Sequence, residues 1–170
     1  MATSNLKKFL KSLSKEELIK HIMELDKKYK PVQEYYHLYL NGDTSGTTEK
    51  YKSIIKNEFF PTRGLPKERL SVARKAISDA KKIGLPADAL ADLMLFYVET
   101  GASYTNEYGD IDEPFYNSME SMYLKTLKFM ESEGLLEKFK LRAYEILRTT
   151  ENTGWGFHDT LGDYYYTFYH

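Results

Sequence analysis

The stretch "ADALADLMLFYVETGAS", Ala87 to about Ser103, is apolar on nearly every side when wound as a helix. Its polar residues Asp88, Asp92, Glu99 and Ser103 fall on one narrow strip. A helix of this kind belongs in the middle of a protein, with other elements packed around it. Elsewhere apolar residues also recur at helical spacing, and no alternating strand flanked by hairpin turns stands out. The expected fold is therefore all-α, a single-domain bundle of about eight to nine antiparallel helices over residues 1–170. Residues 1–60 would supply N-terminal helices and 61–170 the C-terminal helical hairpins.

Local signals place the elements. Leu6, Phe9, Leu10 and Leu13 share one face of a first helix, and Ser14 with Glu17 three residues on forms a capping box for a second. Pro31 interrupts the chain before Val32, Tyr35, Tyr36, Tyr39 and Leu40. "NGDTSGTT" reads as the longest flexible loop, with a fourth helix from Thr47 or Thr48 to Phe59. Further helices are expected from Pro66 to Lys82, Ala87 to Ser103, Asp112 to Glu133 and Leu135 to Thr150, and a last one capped by Asp159. Short connections force antiparallel neighbours. Counting directions then brings loops 61–69, 104–113 and 151–159 to one end.

The chain has 170 residues, enough for a sizeable core, and its 24 basic and 25 acidic residues leave a net charge of -1. That balance argues against a general binder of nucleic acid or membrane surfaces. The absence of cysteine excludes disulfides and thiolate chemistry. No signal peptide or transmembrane run is evident, and a soluble cytoplasmic protein is expected. With fifteen tyrosines, many buried rings will carry a hydroxyl that needs a partner.

The most basic segment, Arg63 to Lys82, carries Arg63, Lys67, Arg69, Arg74, Lys75, Lys81 and Lys82 against Glu68 and Asp79. A wheel puts Arg74, Lys75, Lys81 and Lys82 on a solvated face but drops Arg69 into the apolar arc, where a guanidinium needs an anion. Arg63, Lys67 and Arg69 are thus the candidate anion-binding group. The expected answering carboxylates are Glu107, Asp110, Asp112, Glu113, Asp159 and Glu99. They would form either a structural ion cluster or a site. Asp110 and Asp112 are candidate ligands for a hard metal, with Asp112 as a helix N-cap the alternative. In "GWGFHD", His158 beside Asp159 could work as a base, and these two with Glu99 are the catalytic candidates; alternatively Trp155 and Phe157 plug the core while His158 bonds a loop carbonyl. Glu34 and His37 have the spacing of di-iron bundles, but the required second pair is missing. The terminal "DYYYTFYH" could stack bases, yet its own charges are acidic. No cofactor is implied.

The pieces "FFPTRGLPKERLSVARKAISDAKK", "ADLMLFYVETG", "YTNEYGDIDEPFYNSMESM" and "GWGFHDTL" together resemble a family of small bacterial proteins classed only as a domain of unknown function. The resemblance spans nearly the whole chain and implies an all-helical fold in a bacterial cytoplasm, with no activity to carry over. The expected function is a protein-interaction or scaffold module with a protein partner or a second copy. The alternative is a small-anion or metal-binding protein or enzyme with its site where the three loops meet. Nucleic-acid binding through Lys67, Arg74, Lys75, Lys81 and Lys82 ranks last.

Overall fold

The computed structural model describes residues 2–169, and within them the chain forms nine α-helices and no strand. Its contacts fall into two compact units that divide after Gly42.

The N-terminal unit holds α1 (Ala2–Ser12), α2 (Lys15–Lys28) and α3 (Lys30–Asn41). Ser14 caps α2 as its sequence dictates: its hydroxyl accepts from the Glu17 amide, and the Glu17 carboxylate accepts from the Ser14 amide at 2.7 Å. Pro31 sits in the first turn of α3, where its missing amide proton is no loss. α1 meets α2 through an edge-to-face contact of Phe9 with His21. Leu10, Leu13, Leu18, Leu25, Val32 and Tyr36 are only half-buried, and Leu38 alone among the described residues of this unit is fully buried.

The C-terminal unit comprises α4 (Thr44–Phe59), α5 (Leu70–Lys82), α6 (Ala87–Tyr108), α7 (Glu113–Ser132), α8 (Leu136–Thr149) and α9 (Phe157–Phe168). The stretch read as the longest loop is not one. Gly42, in a left-handed conformation, ends α3, and Asp43 immediately caps α4 by accepting from the Gly46 amide at 2.9 Å. The connection of real length is 60–69, because α5 begins at Leu70 rather than Pro66.

As its composition demands, α6 is the central helix of this unit. Leu93, Leu95, Tyr97, Val98 and Ala102 are completely buried, and α4, α5, α7 and α8 all pack on it. Where α7 crosses, a Cβ on Gly101 would come within 2.3 Å of the Met119 sulfur, so a glycine is what allows this approach. Among the described residues four deeply placed tyrosine hydroxyls find partners in this core: Tyr97 meets Ser118, Tyr116 meets Thr105, Tyr123 donates to the Ala143 carbonyl and Tyr169 to that of Leu136.

The polar strip of α6 is answered from both sides. Lys52 of α4 reaches Asp92 at 2.8 Å, and Lys138 of α8 reaches Asp88 at 3.1 Å. Between them Arg142 of α8 bonds Asp92 and forks onto Glu99 at 2.6 and 2.8 Å. The contacts also fix directions. Lys52, midway along α4, lies opposite Asp92 near the start of α6, and Phe60 just beyond the end of α4 meets Tyr108 at the end of α6, so α4 and α6 run parallel. Lys138 with Asp88 and Asn106 with Thr149 make α8 parallel to both. Helices α5 and α7 return between them, α9 runs back along α8, and the three loops after α4, α6 and α8 emerge at one end.

Arg142 is about one-quarter exposed. Replacing it with methionine leaves Asp92 and Glu99 short of a cation in a partly buried strip. The expected cost is about 2–3 kcal/mol, less than for a fully buried pair. It should appear in urea unfolding as a lower midpoint at unchanged slope; an unmoved midpoint would show that Lys52 and solvent suffice.

Candidate functional site

The end of the C-terminal unit is built by loops 60–69, 109–112 and 150–156. Each hangs on one carboxylate. In the first loop it is Glu58, in the last turn of α4 and only 3 % exposed. Its carboxylate accepts from the Arg69 Nε at 2.9 Å and Nη2 at 2.8 Å, while its carbonyl accepts the Lys67 and Glu68 amides, both at 3.0 Å. The Arg69 bonds, against the opposing cost of burial, hold the Glu58 carboxyl below its ordinary value of 4.5.

Arg69 is therefore answered, but by none of the carboxylates expected to do it, and its guanidinium is half-exposed rather than sunk in a crevice. The wheel misplaced it because it ran the helix from Pro66. Arg69 is in fact the residue before α5 (φ -76, ψ 80), and Glu68 ahead of it has φ 51, so helical phase does not extend to Arg69. Sequence reasoning missed Glu58 although a signal existed: it stands seven residues after Tyr51 and three after Ile55, on the buried stripe of α4. Arg63 and Lys67 have exposed side chains and enter no ion pair among the described residues. Arg69 and, through its charge, Lys67 both act on the Glu58 carboxylate, whereas Arg63 enters no ion pair with it.

Glu68 links the first loop to the second by accepting the Tyr104 hydroxyl at 2.7 Å, and burial together with this carboxylate pushes the Tyr104 hydroxyl pKa up. Because α6 runs on to Tyr108, the loop read as 104–113 shrinks to 109–112. Asp110 accepts the Tyr116 hydroxyl at 2.6 Å and the Gly154 amide at 2.9 Å, which together lower its carboxyl pKa and tie the second loop to the third. A Cβ at Gly154 would stand 2.4 Å from that carboxylate. Asp112 caps α7 by accepting from the Phe115 amide at 3.0 Å. Asp110 and Asp112 are thus each engaged separately, and no group of three or more histidine, aspartate or glutamate residues that could hold a metal occurs among the described residues. Glu99, also proposed as catalytic, lies further down α6 in the grip of Arg142.

In the third loop Gly156, with φ 68, precedes α9, so Asp159 falls inside the first turn instead of capping it. Phe157 is completely buried, whereas Trp155 is 61 % exposed with φ 60 and plugs nothing. His158 meets the Leu147 carbonyl at 3.2 Å through Nδ1 and the Thr150 hydroxyl at 3.1 Å. Because that hydroxyl already donates to the same carbonyl, Nδ1 must be the donor in the neutral ring, and Nε2 is left as the free acceptor. His158 and Asp159 line a cleft of about 430 Å³ with Tyr144, Arg148, Glu151, Asp163 and Tyr166. On the long basic segment, Lys75 and Lys82 pair with Asp79, and Arg74 donates to Ser118 rather than facing only solvent.

Because Glu58 has a depressed carboxyl pKa in the folded chain, its stabilisation is fully present above about pH 4.5 and is lost as pH falls through the lower folded value. Wild-type stability should drop along an acid limb that is shallower in Glu58→Gln, which should also be less stable at neutral pH. Superimposable acid limbs would show that the pair contributes nothing.

No curated protein and no solved structure matches the chain. The family described as "Family of unknown function (DUF6155)" matches residues 1–168, and the chain belongs to that family.

Proposed function

We propose that this protein is an interaction module whose N-terminal unit docks onto a protein partner. One observation carries the reading: the unit's three amphipathic helices leave their outer apolar residues in solvent. Leu6 and Phe9 of α1, Ile19, Ile22 and Met23 of α2, and Tyr35, Tyr39 and Leu40 of α3 are each between 39 % and 74 % exposed. Side chains of this size favour burial by about 1.5–3 kcal/mol each, and grouped exposure on a small unit marks a surface that another molecule covers. A segment of about 40 residues rarely builds a sufficient core alone.

The competing reading, a small-anion or metal site at the bundle end, has less behind it. Glu58, Glu68, Asp110 and Asp112 all accept structural hydrogen bonds there. His158 and Asp159 beside their cleft are what remains of it. Charge is also distributed against a nucleic-acid partner for the C-terminal unit, where residues 43–170 hold 16 basic and 20 acidic side chains. No helix among the described residues is long and apolar enough to cross a membrane. A cytoplasmic setting, suited to a cysteine-free chain, belongs to the same proposal.

A photoreactive amino acid at Ile19 or Ile22, activated in cells expressing the full chain, tests this. The expected result is adducts of higher mass from those positions and none from Lys128 on the exposed face of α7. Monomer alone from all three positions would overturn the reading.

A further inference from the structure

The apolar face of α2 has a charge pattern of its own. At 3.6 residues per turn, Lys15, Ile19, Ile22 and Asp26 lie within an arc of about 60 degrees, forming one line about 16 Å long. Glu16, Met23 and Lys27 form a second line beside it. Ile19 is 53 % and Met23 51 % exposed, and Lys15, Glu16 and Lys27 are exposed as well. No side-chain hydrogen bond or ion pair engages Lys15, Glu16, Asp26 or Lys27 among the described residues. The first line thus begins with a cation and ends with an anion; the second begins with an anion and ends with a cation.

We infer that the partner covering this face is a second copy of the chain, with the two α2 helices packed antiparallel about a two-fold axis between Ile19 and Ile22. In that arrangement the two isoleucines of one copy meet those of the other, Lys15 faces Asp26 of the second copy, and Glu16 faces Lys27. All four charges are met by opposite ones, and by symmetry each contact occurs twice. A parallel pairing would instead set Lys15 against Lys15 and Asp26 against Asp26. A line with opposite charges at its two ends is self-complementary when it meets its own copy antiparallel, and this helix carries two of them. One helix face is small beside a standard interface of about 800 Å² per partner, so the dimer should exchange and depend on concentration. This inference rests on the interaction-module reading and names its partner.

Sedimentation velocity of the full chain over about a hundredfold concentration range tests it. Wild type should pass from monomer to dimer. Lys15→Glu and Asp26→Lys should each weaken the dimer about tenfold or more, and the double variant carrying both changes should recover to within about threefold of wild type. Ile22→Glu should be monomeric throughout. Lys15→Glu adds an acid to the first turn of α2 and Asp26→Lys a base to its last turn, and both changes favour the helix, so lost association cannot be ascribed to its unfolding. Circular dichroism should confirm equal helicity. A wild type that stays monomeric, or a double variant as weak as the singles, would overturn the inference. If such a monomer still gives cross-linked adducts at Ile19 and Ile22, only the identity of the partner fails. With no adducts either, both readings fail.

Discussion

Arg142 resolves the central constraint on this sequence. A helix that must be buried on nearly every side still carries Asp88, Asp92 and Glu99, and those carboxylates can enter the bundle only if cations meet them. Arg142 takes Asp92 and Glu99 together, Lys52 and Lys138 take the flanks. The helices that deliver those cations are α4 and α8: Lys138 and Arg142 match the α6 carboxylates in order with α8 parallel to α6, and Lys52 at Asp92 with Phe60 at Tyr108 sets α4 the same way. The directions of α5 and α7 follow, since each is a return between parallel helices, and α9 runs back along α8 from His158 at Leu147 to Tyr169 at Leu136.

From that arrangement the character of the bundle end follows. Three loops meet there, each held by a carboxylate already committed to hydrogen bonds. The Glu58 grip on Arg69, the Tyr104 bond to Glu68 and the Asp110 bonds to Tyr116 and Gly154 make a pinned structural cap. Glu58, buried and bonded on several sides, has little capacity left for a ligand, while the exposed Glu68 and Asp110 are engaged by tyrosine hydroxyls. This cap differs from the N-terminal unit, whose inner residues are half-buried and whose outer apolar residues are bare. The C-terminal unit completes its own core, and the N-terminal unit does not.

Much of this was legible in the sequence where local rules operate. The all-round apolarity of α6, the Ser14 and Glu17 capping box, the Asp112 cap and the need of buried tyrosine hydroxyls for partners are each written within a few residues. Counting short connections was enough to bring the three loops to one end. Pairings over distance were harder. Glu58 and Arg142 both stand on the apolar arcs of their helices, Arg142 between Phe139 and Ile146, and a charged residue in that place is the signal that was overlooked. The phase error at Arg69 came from extending a helix through Glu68, whose left-handed conformation no propensity announces. Gly42 and Asp43 show the reverse case, in which polar residues that resemble a long loop are a helix stop followed directly by a cap.

The central claim is an asymmetry: a self-sufficient C-terminal unit and an N-terminal unit whose exposed helices we propose are completed by contact. Amide hydrogen exchange followed by mass spectrometry at low and high protein concentration tests it most directly. At low concentration α2 and α3 should exchange far faster than α6 and α7, and raising the concentration should slow α2 while leaving α6 unchanged. Protection of α2 equal to that of α6 in dilute solution would contradict the account.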